Sequence, residues 1–327
     1  MARILTLGEA LIDFVSTEPG RPLAEVATFQ RAPGGAPANV AVALARQEIP
    51  VGFLGRFGGD PFGMYLHDLL TTENIDLSGS CQDLASQTRL AFIELDGKGE
   101  RHLAAFSKGG CADERITPED WPETQFEDCK YLYVGSLILR HPSSAAAQRR
   151  AIELAKKQGA KIVCDPNLRP AFWDTLSMAR RAIDGLLRQV DILKISADEL
   201  GWLLDCDPQK ADPAKLWTKY PLQLLAITRG NGGCTLQRRG GPIVEVPAYA
   251  VAAVEPTGAG DAFVAGLLTA LWQQEKALTV LEPEDLLPIG RWANAAGALA
   301  TGAVGAMTAL PNRARIDALV SSGAAGT

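Results

Sequence analysis

The sequence predicts an α/β protein: a three-layer α/β/α sandwich with a central, mostly parallel sheet and a small β-sheet lid. Two observations carry this. Apolar runs of strand length alternate with helical periodicities from end to end, and such alternation means a parallel sheet covered on both faces. Two segments in the first third, Ser16–Arg31 and the hairpin pattern around Asp96-Gly97-Lys98-Gly99, break that rhythm and point to a small sheet standing off the main body.

Taken in order, Arg3–Leu7 and Leu11–Val15 carry strand patterning, Ala38–Gln47 a helix and Val51–Leu54 a strand. Pro61–Glu73 is helical, with Phe62, Leu66, Leu69 and Leu70 on one face. Thr88–Glu94 and Arg101–Phe106 flank the hairpin turn. Tyr131–Leu137 is a strand, and Ser143–Gln158 a helix closed by Gly159. Ile162–Cys164 reads as strand, Met178–Gln189 as helix, Ile192–Ile195 and Leu222–Thr228 as strands, and Cys234–Val246 as a hairpin. Gly260–Gln273, Leu286–Thr301 and Asn312–Val320 complete the chain as helices. This organisation predicts one α/β domain over residues 1–320, with lid strands inserted at about 13–33 and 88–107 and a small polar tail at 321–327 that frays.

The 327 residues include 32 Lys+Arg against 38 Asp+Glu, a net charge of −6, which argues against a nucleic-acid binder. Any polyanionic substrate must then be met locally, by a few Arg or Lys, a metal or helix N-termini. The six cysteines (Cys81, Cys111, Cys129, Cys164, Cys206, Cys234) form no C-x-x-C pair, and His67, His102 and His141 are scattered. That spacing argues against a structural zinc site and suits buried thiols in a reducing cytoplasm. The start has no signal-peptide character. Trp292–Asn312 is uncharged and about long enough to span a bilayer. It is, however, built of Ala and Gly around Asn294, Thr301 and Thr308, so a buried helix and turn is expected rather than a membrane segment.

Three motifs carry chemistry. Thr257-Gly258-Ala259-Gly260-Asp261 opens a helical run. Glycines at a helix start leave backbone N–H groups unshielded, and the helix dipole makes them an anion site. Asp261 in the first turn could serve as a cap, or as a general base beside an oxyanion-type hole. The motif lacks the third glycine of a dinucleotide fingerprint, since Phe263 stands there, and the chain has no Walker loop. Gly34-Gly35-Ala36-Pro37-Ala38-Asn39 joins paired glycines, which admit a ligand close to backbone, to an amide that both donates and accepts. Asp165-Pro166-Asn167-Leu168-Arg169-Pro170 follows a strand directly, where open parallel sheets bind their ligands.

With these motifs in this order, the chain resembles the ribokinase-like, pfkB-type carbohydrate kinases over essentially its whole length, and within them the fructokinase branch. Gly55, Gly58, Asp60 and Gly63 are similar to that family's glycine-rich stretch. The resemblance implies an ATP-dependent phosphotransferase converting D-fructose to fructose 6-phosphate. Asp261 would be the base, with Gly258, Ala259 and Gly260 as the anion hole. Asp13, Gly34, Gly35, Asn39, Phe106, Asn167 and Arg169 would bind sugar. Lys194, Glu199, Thr228, Arg229, Gly230 and Asn294 would serve ATP, with Glu199 holding Mg2+ indirectly. Ser196 replaces the family's usual Asn ahead of Glu199. Glu255-Pro256 stands where many members have Asp-Thr, so the implied K+ site at Glu255 and Thr257 is altered. The lid stretch Phe106-Ser107-Lys108 replaces Phe-Tyr-Arg and loses a planar guanidinium. The resemblance further implies small-molecule substrates only, no nucleic acid or membrane partner, and a homodimer joined through the lid. Competing readings are a kinase for an acidic sugar such as 2-keto-3-deoxygluconate, with Arg169 on its carboxylate, a nucleoside or ribose kinase, and a silent structural or regulatory relative, which would be expected to have lost Asp261 or its glycines.

Overall fold

The computed structural model describes residues 3–97, 99 and 101–323. Lys98 of the hairpin turn and residues 324–327 of the expected tail lie outside them. Residue 321 ends a helix, and the Ser322 and Gly323 N–H groups still donate to Ala318 and Val320 carbonyls.

The chain begins with β1 (Arg3–Leu7), β2 (Leu11–Ser16) and β3 (Phe29–Gly34), then α1 (Ala36–Arg46), β4 (Val51–Gly58) and α2 (Pro61–Thr72). Next come β5 (Ser80–Asp83), β6 (Arg89–Leu95), β7 (Arg101–Phe106) and β8 (Cys129–Val134), followed by α3 (Pro142–Lys157), β9 (Lys161–Cys164), α4 (Leu176–Leu187) and β10 (Ile192–Ser196). The last part holds α5 (Ala197–Leu204), α6 (Ala214–Lys219), β11 (Leu224–Thr228), β12 (Cys234–Arg238), β13 (Val244–Val246), α7 (Ala259–Gln273), α8 (Pro283–Ala300), α9 (Ala306–Ala309) and α10 (Arg313–Ser321).

Nine strands form the central sheet in the order β13-β12-β11-β10-β9-β8-β1-β4-β5, parallel from β11 to β5 and antiparallel at the β12–β13 edge. Both faces are buried, and the strands show it. Ile4, Tyr131 and Tyr133 pack into one apolar cluster with α1, α7 and α8, while Leu5, Leu7, Leu132 and Val134 pack into a second cluster with α3 and α4. Alternate side chains of β1 and β8 thus feed opposite layers, as the two-residue period of a strand requires.

A second sheet of four strands, β3-β2-β6-β7, stands apart as the lid. It is mixed: β2 and β6 run parallel because each leaves the body in the same direction, and β3 and β7 return antiparallel to them. Asp60 fastens one root of the lid. Its carboxylate caps α2 through the Phe62 and Gly63 N–H groups, at 3.0 and 2.9 Å, and also accepts from the Thr88 N–H and hydroxyl, at 2.6 and 2.7 Å, just before β6. A Cβ on Gly58 would fall 2.3 Å from Thr88 N, and one on Gly63 2.0 Å from the Gly58 carbonyl oxygen. The glycine-rich stretch is therefore a joint between sheet and lid.

Helices α2, α3 and α8 begin at prolines, ahead of the apolar periodicity for the last two, because proline suits the first turn. The small-residue stretch lets α7 and α8 touch: a Cβ on Gly266 would lie 2.9 Å from the Ala293 Cα. No helix among the described residues is long and apolar enough to cross a membrane.

Candidate active site

The segment entering α7 forms a partition between two cavities. Thr257, Gly258 and Asp261 line the first, of about 330 Å³, while Glu255, Pro256, Ala259 and Gly260 line the second, of about 660 Å³. Gly258 adopts φ +84°, and a Cβ there would press on Ala306 at 3.0 Å, so glycine is required on both counts. The Ala259 N–H turns back to the Pro256 carbonyl at 3.1 Å. Of the three N–H groups the sequence placed in the hole, that one is occupied, and Gly258 and Gly260 remain.

Asp261 is only 7% exposed, and the Asn39 amide donates to its Oδ2 at 2.7 Å. Burial pushes its pKa up to about 6, opposed by the Asn39 hydrogen bond, with Asp165 adding to the rise and Lys194 and Arg169 opposing it. The Asn39 carbonyl oxygen is itself buried without a partner. An unpartnered buried acceptor beside a carboxylate has the capacity to take a hydrogen bond from a ligand hydroxyl. Burial likewise raises Asp13 to about 6, against the pull of Arg101 and Arg169. Glu9 lines the same cavity and accepts the Ala36 N–H at 3.2 Å. Desolvation carries it to about 8, so at neutral pH it is largely a protonated donor.

Other expected sugar-site residues fall as follows. Gly35 lines the first cavity at φ +102°, where a Cβ would strike the Glu9 carbonyl oxygen at 2.4 Å. Gly34 is not on the lining, and it leaves room for Asp13, whose Oδ2 a Cβ would meet at 2.7 Å. Asn167 and Arg169 line the cavity. Phe106 does not: it stands behind the wall, its ring 4.4 Å from that of Phe172, with the Arg140 guanidinium 5.1 Å from its centre. The wall itself is Phe172 and Trp173.

Of the residues expected to serve ATP, Thr228, Gly230 and Asn294 line the second cavity, while Arg229 does not and reaches Thr235 Oγ1 at 3.4 Å. The Asn294 amide donates to the Val246 and Pro247 carbonyls at 3.0 and 2.9 Å, fixing the end of β13. Lys194 lines neither cavity and is buried, paired to Asp165 at 2.7 Å. Burial opposes its charge, but Asp165 and Glu199 outweigh that and raise its pKa. Its ammonium is so near the anion loop that a Cβ on Gly260 would fall 3.1 Å away. The Glu199 carboxylate closes a capping box with Ser196, at 3.0 and 2.8 Å, and accepts the Leu168 N–H at 2.7 Å. It thereby ties α5 to the Asp165–Pro170 loop. Glu255 pairs with Arg101 of the lid at 2.6 Å and accepts the Gly305 N–H at 2.8 Å.

Sequence reasoning missed Glu9, Arg101, Phe172 and Trp173. Glu9 had a readable signal, a lone acid between two apolar strands. Arg101 had none, since its partner is 154 residues away.

A wide parallel sheet, a lid rooted at Asp60 and two cavities divided by a glycine-opened helix start are the frame of a phosphotransferase of the sugar-kinase class. Residues 1–313 match the family described as pfkB family carbohydrate kinase, and the chain belongs to that family. It is 37% identical to Fructokinase-1 of Zea mays over 318 residues, covering 97% of each protein. Its fold matches that of fructokinase with bound ATP from Xylella fastidiosa, at 32% identity, with 98% of both chains covered and a TM-score of 0.86. It also matches fructokinase from Vibrio cholerae O395 in a fructose-, ADP- and calcium-bound form, at 30% identity, covering 98% of this chain and 99% of that one, with a TM-score of 0.85.

Proposed function

We propose that this chain is an ATP-dependent fructokinase, transferring the γ-phosphoryl of ATP to the 6-hydroxyl of D-fructose. One observation carries the reading: the anion loop presents Asp261 to one cavity and Gly260 to the other, so a phosphoryl group can cross between them. The two substrates of such a reaction, sugar and nucleotide, would each have a cavity of their own.

In this reading fructose lies in the first cavity. Asp13 and the free oxygen of Asn39 accept hydrogen bonds from its hydroxyls, and Glu9 donates one. Asn39 also holds Asp261 in place to take the proton of the attacking hydroxyl. The N–H groups of Gly258 and Gly260, with the α7 dipole and the Lys194 ammonium behind them, meet the charge spreading over the transferred phosphoryl. The hydroxyl oxygen bonds to γ-phosphorus, the bond from γ-phosphorus to the β,γ-bridging oxygen breaks and that oxygen leaves with ADP, and Asp261 takes the proton and gives it to solvent once the products leave. Phe172 and Trp173 wall the site, and the lid keeps water from the phosphoryl.

Among the described residues no three potential metal-ligating side chains stand together, and the Glu199 oxygens already accept three protein donors. A divalent ion, Mg2+ in this proposal, would therefore be held chiefly by the triphosphate, with Glu199 acting through water. When bound, it supplies neutralisation of the phosphate oxygens. For K+, Glu255 Oε2 is taken by a guanidinium and an N–H, whereas Oε1 is buried without a partner, so that one carboxylate oxygen would be left to hold a monovalent cation, and no step is routed through it. Cytoplasmic residence and a homodimer through the lid complete the proposal; a monomeric mass in light scattering at micromolar concentration counts against the dimer.

The test is ADP release from Mg-ATP with fructose, ribose, adenosine and 2-keto-3-deoxygluconate. Preference for fructose supports the reading. Preference for the keto acid would keep the mechanism and assign Arg169 to the carboxylate.

A further inference from the structure

Arg101 opens β7, the outer strand of the lid. Its side chain leaves the lid and crosses to the body, where Nη2 lies 2.6 Å from Glu255 Oε2. Among the described residues this is the one ion pair joining β7 to the body. The pair is largely sequestered, with side chains 17% and 7% exposed. Glu255 stands two residues before Thr257, on the segment that runs into the anion loop, and the same Oε2 accepts the Gly305 N–H at 2.8 Å. Arg101 lines the first cavity and Glu255 the second. The pair therefore spans the partition that carries Asp261.

We propose that the Arg101–Glu255 pair is a latch that couples the sugar cavity to the anion loop and the nucleotide cavity. The inference rests on the kinase reading above. A buried ion pair exchanges attraction for desolvation, so its net strength is small and it can open. Removing one partner is different, because the survivor is left buried without its counter-charge. A sugar in the first cavity touches the lid at Asp13 and the body at Asn39 and Asp261, so it favours the closed lid. Closing seats Arg101 on Glu255, and Glu255 fixes the segment beside the nucleotide. Sugar binding must then tighten nucleotide binding, and by linkage nucleotide must tighten sugar binding by the same factor. Arg101 also bears on Asp13, where it is the strongest charge opposing protonation of that buried carboxylate, so the latch reaches a second group of the sugar cavity.

The test is calorimetric titration of ADP with and without saturating fructose, on the wild type, Glu255→Gln, Arg101→Met and Arg101→Lys. The wild type should bind ADP at least about fivefold more tightly with fructose present. Glu255→Gln and Arg101→Met should bring that factor close to one, and Arg101→Lys, which keeps the charge, should restore part of it. A residue that only supported the fold would lower the melting temperature and leave the factor unchanged. Full coupling in both charge-removing variants, in a protein that phosphorylates fructose, overturns the latch and leaves the kinase reading standing. Should the wild type neither bind nor phosphorylate fructose, the kinase reading fails and hydrogen exchange of the unliganded protein decides the latch. Glu255→Gln must then speed exchange in residues 101–106 as well as in 254–261, and acceleration confined to 254–261 refutes it.

Discussion

Replacing Asp261 by asparagine should slow turnover sharply and, at the same time, stabilise the fold. The carboxylate is buried, and its pKa moves from 3.8 to about 6. A shift of that size at about 1.4 kcal/mol per unit makes the ionised group about 3 kcal/mol less favourable in the folded protein than in the unfolded chain. The sign fixes the pH window. Above pH 6 the group is ionised in both states and the full cost applies. Below 3.8 it is neutral in both and the cost is gone. Asparagine never ionises, and its carbonyl can still accept the Asn39 amide now held at 2.7 Å. Its advantage should be full at pH 8 and shrink toward pH 4. For a chain of this length, 3 kcal/mol corresponds to a rise in melting temperature of about 3–5 °C. Thermal melts of both proteins from pH 8 to pH 4, beside turnover measurements, make the assay. Loss of about 10²–10⁴ in rate accompanies the gain, because the base is missing. A variant less stable at pH 8, or a gain that does not vary with pH, would refute the argument that burial of this charge sets both properties.

Three further outcomes follow from the same geometry. The kcat/KM for fructose should fall below about pH 6, steepening toward a limiting slope of two, because the pKa values of Asp261 and Asp13 are both raised to about 6 and both groups must be ionised; a flat profile from pH 7 to 5 contradicts it. Asn39→Ala removes the donor that lowers the Asp261 pKa, so the acid limb of that profile should move to higher pH as the rate falls, and an unmoved limb would separate Asn39 from the base. Lys194→Met leaves Asp165 buried without its partner, at a cost of about 3–5 kcal/mol, read as a lower unfolding midpoint in urea.

Much of this was legible in the sequence. Buried parallel strands such as β9, with Ile162, Val163 and Cys164, are continuous apolar runs, and α7 follows its glycine motif directly. What failed to show was of two kinds. Strand β5 (Ser-Cys-Gln-Asp) is a polar edge, and α5 has only eight residues and is held by its capping box rather than by a long apolar face. At the site, motif residues such as Asp261, Asn39 and Asp13 converge on one cavity. Phe106 was misplaced because a resemblance names a position and not the direction of its ring. Arg101 and Glu255 meet only through the packing of the lid on the body, and no local pattern records that.

The most direct test of the central claim is product formation itself. Wild-type protein and Asp261→Asn should be incubated with Mg-ATP and fructose, and fructose 6-phosphate followed alongside ADP. The account predicts stoichiometric formation of both by the wild type, and a rate lower by about 10²–10⁴ in a variant that remains folded. Undiminished product from Asp261→Asn, or ADP released by the wild type without sugar phosphate, would contradict it.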